Sequence, residues 1–348
     1  MTINFLSIFS LISFFVTLAV VKYSKLFAHG ILIDNDFSKP QAFHSEPVAR
    51  AGGVSIFFLF LLFILFYFIL FSVFLIDYLC IAVLFFSLGF LDDAKIRLNP
   101  NIRLFIMIIF LFFCINIFSI VIASSGLQFL NIWLENYIFQ TCFVLLCFLF
   151  VINGANLIDG FNGLLAMHFL IINLMLLVIN LINGHQDILI VLAGQTVIVF
   201  SFLLFNFPKA KLFLGDGGSY LIGALITINV VKTHEINADI SPFFFAGILF
   251  YLFYEVFFSF IRKISMGLSP LLPDKNHLHM LVYRWLFNLK KIKDANYLTA
   301  LFINLGYLLL LIPLFYFKYD GLFSRYWFFL LIFIYSFIYY RLYSFSKK

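Results

Sequence analysis

Four groups of polar residues stand out from an otherwise apolar chain, and their types suit phosphate and metal chemistry. The first is Asp92-Asp93 in GFLDDAKIRLNPNIRL, followed closely by Lys95, Arg97 and Arg103. Adjacent carboxylates repel each other, and half-buried they need a cation or a basic partner. The bases behind them can grip phosphate. The second is NGANLIDGFNGL, where Asn153, Asn156 and Asp159 fall at i, i+3 and i+6 on one side of a helix end, with Gly160 and Gly163 free to turn tightly. The third, NFPKAKLFLGDGGSYLIG, holds Asn206 and sets Asp216 among Gly215, Gly217 and Gly218 ahead of a helix opening at Ser219. Glycine-rich backbone before a helix N-terminus is an anion site, and an aspartate there can bridge to phosphate through Mg²⁺. No G-x-x-x-x-G-K-[ST] occurs, so this is not a P-loop. The fourth, SPLLPDKNHLHM, places His277 and His279 on one side of an extended segment, suited to a phosphate or a transition metal. Two histidines without a nearby cysteine do not make a zinc cage. His29, His168, His185 and His234 read as incidental. Taken singly, each group also fits an ordinary feature: a solvated helix end, an Asx-rich turn, a glycine N-cap, an exposed loop.

The elements that must position these residues are membrane helices. Of 348 residues, 64% are hydrophobic and 11% charged, whereas a soluble domain is about half apolar and a quarter charged. At roughly 20 residues per span, eleven spans would take up about 63% of the chain. The expected spans are 3–21, 54–74, 75–91, 102–122, 141–153, 164–182, 188–205, 219–231, 243–261, 298–317 and 327–343. The fifth is short, and the second and third run nearly together around Asp77. The first lacks a basic leader and an A-x-A site and reads as an uncleaved anchor. Cys80, Cys114, Cys142 and Cys147 lie in apolar runs with neither zinc nor disulfide spacing. Leu281, Val282, Trp285, Leu286, Leu289 and Ile292 share one helical face, which fits either an interfacial amphipathic helix or a packed connector.

Charge sets the expected orientation. Nineteen of the 22 Lys and Arg fall in alternate connections beginning with 22–53, leaving only Lys232, Lys318 and Arg325 on the other side. The positive-inside rule then puts the N-terminus outside, the C-terminus in the cytoplasm, and all four polar groups on the cytoplasmic face. The fold expected is an all-α polytopic integral membrane protein of about eleven transmembrane helices. It is a single catalytic domain, 1–348, whose active-site loops are 22–53, 92–101, 153–163, 206–218 and 262–297. The net charge of +6 reads as orientation, with no nucleic-acid partner. Aspartates, amides, a glycine nest and bases on one face suit a phosphorylated substrate with Mg²⁺, or Mn²⁺ in its place. An enzyme joining a cytosolic phosphate donor to a lipid needs this layout.

At HSEPVARAGG, LDDAKIRL, NGANLIDGFNGL, KAKLFLGDGGS and PDKNHLH the sequence closely resembles the polyprenyl-phosphate N-acetylhexosamine-1-phosphate transferases, in order from His44 to Met280. The resemblance implies transfer of an N-acetylhexosamine 1-phosphate from a UDP-sugar to undecaprenyl phosphate with release of UMP. This would be the initiating step of O-antigen, lipopolysaccharide or another cell-envelope glycan, at the cytoplasmic side of a bacterial inner membrane. It implies that Asp92 and Asp93 lie near the lipid phosphate, that Asn156 and Asp159 lie near the nucleotide and metal, that Asp216 binds Mg²⁺, and that His277 and His279 meet the diphosphate. His44, Arg50, Gly52 and Gly53 match an early H…R-x-G-G pattern. Asp92, Asp93 and Asp159 are thus the expected catalytic residues and Asp216 the metal ligand. The expected substrate contacts are His44, Arg50, Lys95, Arg103, Asn153, Asn156, Asn206, Gly215, Gly218, His277 and His279. Two positions depart from the pattern: Met280 stands where the family usually has a further histidine, and Glu255 where an aspartate commonly precedes Arg262. The resemblance allows a homodimer and leaves the sugar open.

Two rivals stay open on the sequence. A flippase or lipid-linked sugar transporter would place ionisable residues along a mid-bilayer pathway, and here only Glu255 lies in an apolar run. A catalytically impaired member of the family is the other, because of Met280. A CDP-alcohol phosphotransferase is disfavoured, since Asp159-Gly160 continues as Phe161-Asn162-Gly163 rather than D-G-x-x-A-R.

Overall fold

A computed structural model describes residues 2–24, 32–34, 47–96, 98–269, 274–290 and 295–346. His44 and Arg97 lie outside the described residues. Among the described residues the regular structure is helical apart from one antiparallel pair of two-residue strands. Its elements are α1 (Thr2–Tyr23), β1 (Ile33–Asp34), β2 (Val48–Ala49), α2 (Gly52–Phe71), α3 (Ile76–Asp93), α4 (Pro100–Ile117), α5 (Gln128–Leu134), α6 (Tyr137–Ile158), α7 (Leu164–Ile182), α8 (Gln186–Asn206), α9 (Gly215–Ile236), α10 (Pro242–Ile248), α11 (Phe250–Ser265), α12 (Leu278–Lys290), α13 (Ala295–Tyr316) and α14 (Gly321–Ser346). Eight described helices are long and apolar enough to cross a membrane, or nine if the bent pair α10–α11 is one span. Large side chains such as Phe105, Ile138, Leu309 and Phe333 stay more than half exposed on the outside, the surface a bilayer covers. The protein is a multi-pass helical membrane protein.

Helix α9 is the axis. Every residue from Gly215 to His234 is buried except Asp216 and Lys232, walled in by α3, α6, α2 and α7. Glycines make this packing possible, as small residues do between membrane helices. A Cβ on Gly89 of α3 would strike the Asp216 carbonyl, and one on Gly53 of α2 would strike the backbone of Gly218. Shielded in this way, α9 has no need of a greasy outer face, and its glycines, Asp216, Lys232 and Glu235 keep it out of the count of apolar spans. Helix α3 is likewise excluded while carrying Asp77, Asp92 and Asp93.

Several expected boundaries move. Ser72 ends α2 in the left-handed conformation, so α2 and α3 are separated before Asp77 rather than joined around it. The expected short span 141–153 is the 22-residue α6. Asn136 caps its start, accepting the Phe139 amide at 3.1 Å. At its polar end Asn153 bonds back to its own helix and Asn156 reaches Ser219 of α9, so neither amide is left without a partner. The expected span 243–261 is broken, α10 and α11 meeting at 71°. At the break the Tyr307 hydroxyl donates to the Ile248 carbonyl at 2.5 Å, satisfying a group the bend would orphan. Short α5 gave no sequence signal; seven residues are too few for a period to register. Helix α12 is a packed connector, lying on α13 and α14 with Met280, Leu281 and Val282 buried.

Candidate active site

Two backbone devices bring the polar groups to one end of the bundle. Helices α3 and α9 run antiparallel, so the end of α3 meets the start of α9; at their other ends Lys232 pairs with Asp77. The strand pair β1–β2 then joins the segment before α9. Phe213 N–H donates to Ala49 O at 2.9 Å, Gly52 N–H to Phe213 O at 2.8 Å, and Gly53 N–H to Leu214 O at 2.8 Å. This lattice fixes Arg50 beside the first turn of α9.

There Asp93 fills the helix N-terminus. Its carboxylate accepts the amides of Asp216 at 3.0 Å and Gly217 at 2.8 Å, groups a helix start leaves without internal partners. Gly215 makes room with a φ of 77°, and a Cβ there would lie 2.6 Å from Asp93 Oδ2. The anion on this glycine-rich terminus is therefore a carboxylate of the protein itself. Burial, and then the charge of Asp216, push the Asp93 carboxyl up to about 7, against the two amides and Arg50. Arg50 Nη1 lies 3.7 Å from Asp93, while its Nε and Nη2 both donate to Asp34 Oδ2 at 2.9 and 2.7 Å. Asp92 faces the other way, pairing with Arg103 and accepting the Leu98 amide at 3.2 Å. Arg103 also lies 3.8 Å from Asp216 Oδ2 and over the Tyr220 ring.

Asp216 keeps a side chain 30% exposed, with Asn156 donating to it at 3.2 Å and to Ser219 Oγ at 2.9 Å. Asp159, just past α6, accepts no hydrogen bond among the described residues. Burial, then Asp216, raises its pKa well above the ordinary carboxylate range, with Arg50 opposing and Asp93 adding to the rise. Asp93, Asp159, Asp216, Arg50 and Arg103 thus share one electrostatic site. No three His, Cys, Asp or Glu among the described residues form a closed metal cage. The donors are hard oxygens on a partly open aspartate, which suits a cation that takes one or two carboxylates and completes its shell with phosphate and water. Mg²⁺ fits this set, with Asp216 and Asp159 the residues that would hold it.

Other expected residues are placed differently. Asn153 donates to Leu149 O at 2.7 Å on its own helix. Asn206 is buried and binds backbone on both sides, accepting the Gly163 amide at 2.6 Å and donating to Leu212 O at 2.8 Å. It staples the loops beneath the site. Gly215 and Gly218 serve close helix packing, and Lys95 is exposed in the loop after α3. His277 and His279 lie at the start of α12 rather than on an extended strand, and their rings stack at 5.5 Å. Phe161 packs edge-on against His279, so the loop carrying Asp159 joins the histidines to the carboxylates. Asp34, which holds Arg50, carried no sequence signal. Ser219 was visible only as the residue opening a span.

The glycosyl transferase family 4 model matches residues 75–234, the stretch containing Asp92, Asp93, Asn156, Asp159 and Asp216. An undecaprenyl-phosphate alpha-N-acetylglucosaminyl 1-phosphate transferase of Thermotoga maritima is 28% identical over 78% of this chain and 78% of its own length. A decaprenyl-phosphate N-acetylglucosaminephosphotransferase of Mycolicibacterium smegmatis is 34% identical over 37% of each chain. A phospho-N-acetylmuramoyl-pentapeptide-transferase of Streptococcus sanguinis is 32% identical over 46% of this chain and 51% of its own. Over the stretch that holds α3, α6 and α9, the chain is similar to glycosyl transferase family 4.

Proposed function

We propose that this protein transfers an N-acetylhexosamine 1-phosphate from a UDP-sugar to undecaprenyl phosphate, releasing UMP. The observation that carries the reading is the meeting of Asp93, Asp159 and Asp216 with Arg50 and Arg103 at one mouth of a membrane bundle. Polyanions from two phases, a lipid phosphate and a nucleotide diphosphate, need such a place to meet. N-acetylglucosamine is the default sugar, in keeping with the Thermotoga maritima relative's name. The product would open synthesis of O-antigen, lipopolysaccharide or another envelope glycan, on the cytoplasmic side of a bacterial inner membrane.

The reaction is direct. An oxygen of the lipid phosphate attacks the donor's β-phosphorus, and the bond from that phosphorus to the bridging oxygen breaks. UMP leaves with the electron pair. A phosphate monoester is already mostly dianionic at pH 7, so it needs positioning and charge shielding more than activation. Arg103, held between Asp92 and Asp216, and Arg50, held by Asp34, supply fixed positive charge. Lys95 is free to follow the lipid phosphate, and Asp93 takes the residual proton. Mg²⁺ bound at Asp216 would neutralise the diphosphate. A covalent aspartyl route would bring an anion against an anionic phosphoryl centre twice rather than once. The test is reconstitution. Purified protein should release UMP from UDP-N-acetylglucosamine only when undecaprenyl phosphate and Mg²⁺ are both present. No release with any of a panel of UDP-N-acetylhexosamines would favour a transporter or an inactive relative.

A further inference from the structure

His277 and His279 look equivalent in sequence, but their surroundings differ. Glu255 on α11, 1% exposed, has both carboxylate oxygens engaged. Oε1 lies 3.0 Å from His277 Nδ1 and accepts the Leu278 amide at 3.2 Å, and Oε2 accepts the Tyr335 hydroxyl of α14 at 2.7 Å. His277 Nε2 bonds to no described residue, so it is the corner left for a ligand. His279 is fully buried: Nδ1 lies 3.5 Å from the Tyr251 hydroxyl and Nε2 is sealed without a partner among the described residues. Burial lowers its pKa to about 3, which leaves it neutral. The two rings lie parallel within 6°, so His279 backs His277 without sharing its bonds. The loop ahead is braced as well. The Tyr339 hydroxyl donates to Asn276 O at 2.9 Å, Arg284 donates to Asn276 Oδ1 at 3.1 Å, and Arg262 pairs with Asp274.

We infer that Glu255 and Tyr335 are positioning residues that hold the Nδ1 proton of His277 inward and present Nε2 to the donor diphosphate, with the buried His279 ring packed behind it. This rests on the transferase reading and assigns unequal roles within its histidine pair. A carboxylate on one imidazole nitrogen fixes the tautomer and ring orientation and so decides what the other nitrogen can do. The Tyr335 hydroxyl fixes the carboxylate in turn, which ties the C-terminal helix to the site through one side chain.

The experiment uses the full chain in detergent with UDP-N-acetylglucosamine and undecaprenyl phosphate, reading UMP release and melting temperature. Tyr335→Phe removes one hydroxyl and keeps the ring. It should raise the donor KM roughly tenfold, the scale of one hydrogen bond to a charged group, with kcat and acceptor KM within about threefold. Added to His277→Asn, it should change donor KM no further, because the two act on one contact. Glu255→Asp should retain more donor affinity than Glu255→Gln. A merely structural role would instead lower melting temperature and kcat together, and its effect would add to that of His277→Asn. An unchanged donor KM in Tyr335→Phe, or additivity in the double variant, overturns the inference while the transferase reading stands. No UMP release from the wild type overturns that reading and this inference with it.

Discussion

At the scale of single residues, chemistry is concentrated in groups that differ sharply in burial. Asp216 keeps an open carboxylate beside Arg103, whereas Asp93 is 5% exposed and capped onto α9. Asp216→Asn should therefore leave the fold intact and cut transfer by about 10²–10⁴, the several kcal/mol of a lost charge ligand beside a diphosphate. Turnover within a few-fold of wild type at saturating Mg²⁺ would remove Asp216 from the metal site. Asp93 predicts a pH profile. Its carboxyl is pushed up to about 7, and only the ionised form can take a proton, so kcat at saturating acceptor should rise through about pH 7 and level above it. A profile flat across that range would assign the proton to another group. Sequence singled out Asp93, Asn156, Asp159 and Asp216 because a carboxylate or amide in so greasy a chain needs a reason. The same logic could not separate Asn156, which reaches Asp216, from Asn153 and Asn206, which bond backbone carbonyls or amides. Residue type shows that a partner is required, and only the fold shows which partner. Asp34 escaped for the converse reason: one acid in a polar stretch is unremarked until Arg50 is seen on it.

At the scale of elements, the apolar runs were legible as helices, because a bilayer requires every backbone group to be bonded within its own segment. Their polar ends were not: α6 runs on through Asn153 and Asn156, and α9 begins at Gly215 rather than Ser219. What holds α9 in register away from the site is a ladder of amides. Asn229 donates to Gln195 Oε1 at 2.6 Å and to Asn173 Oδ1 at 3.0 Å, and accepts the Tyr78 hydroxyl at 2.9 Å, joining α9 to α8, α7 and α3. Asn229→Leu keeps the size but removes the hydrogen bonds that four buried atoms of Tyr78, Gln195 and Asn173 make to it. It should lower stability by roughly 1–3 kcal/mol, seen as a lower melting temperature with kcat near wild type in the folded fraction. An unchanged melting temperature would mean that the ladder contributes nothing to stability.

At the scale of the whole molecule, the polar site, the strand pair and most of the described Lys and Arg gather at one end of the bundle, and the proposed orientation turns that end to the cytoplasm. In a cysteine-free background, Lys209→Cys should resist an impermeant thiol reagent in intact cells, whereas Asp239→Cys, past the far end of α9, should be labelled; the reverse pattern would invert the topology. The charge bias along the chain suggested this side, but not how the side is built. Antiparallel α3 and α9 and the pairing of Ala49 with Phe213 are long-range contacts that no local pattern encodes. In this transfer sugar and phosphate move together onto the lipid, and following the phosphorus shows whether they do. With UDP-N-acetylglucosamine labelled at the β-phosphorus, undecaprenyl phosphate and Mg²⁺, the label should pass into the lipid fraction while unlabelled UMP is released. Label left in UDP beside a glycosylated lipid, or no labelled lipid at all, would contradict it.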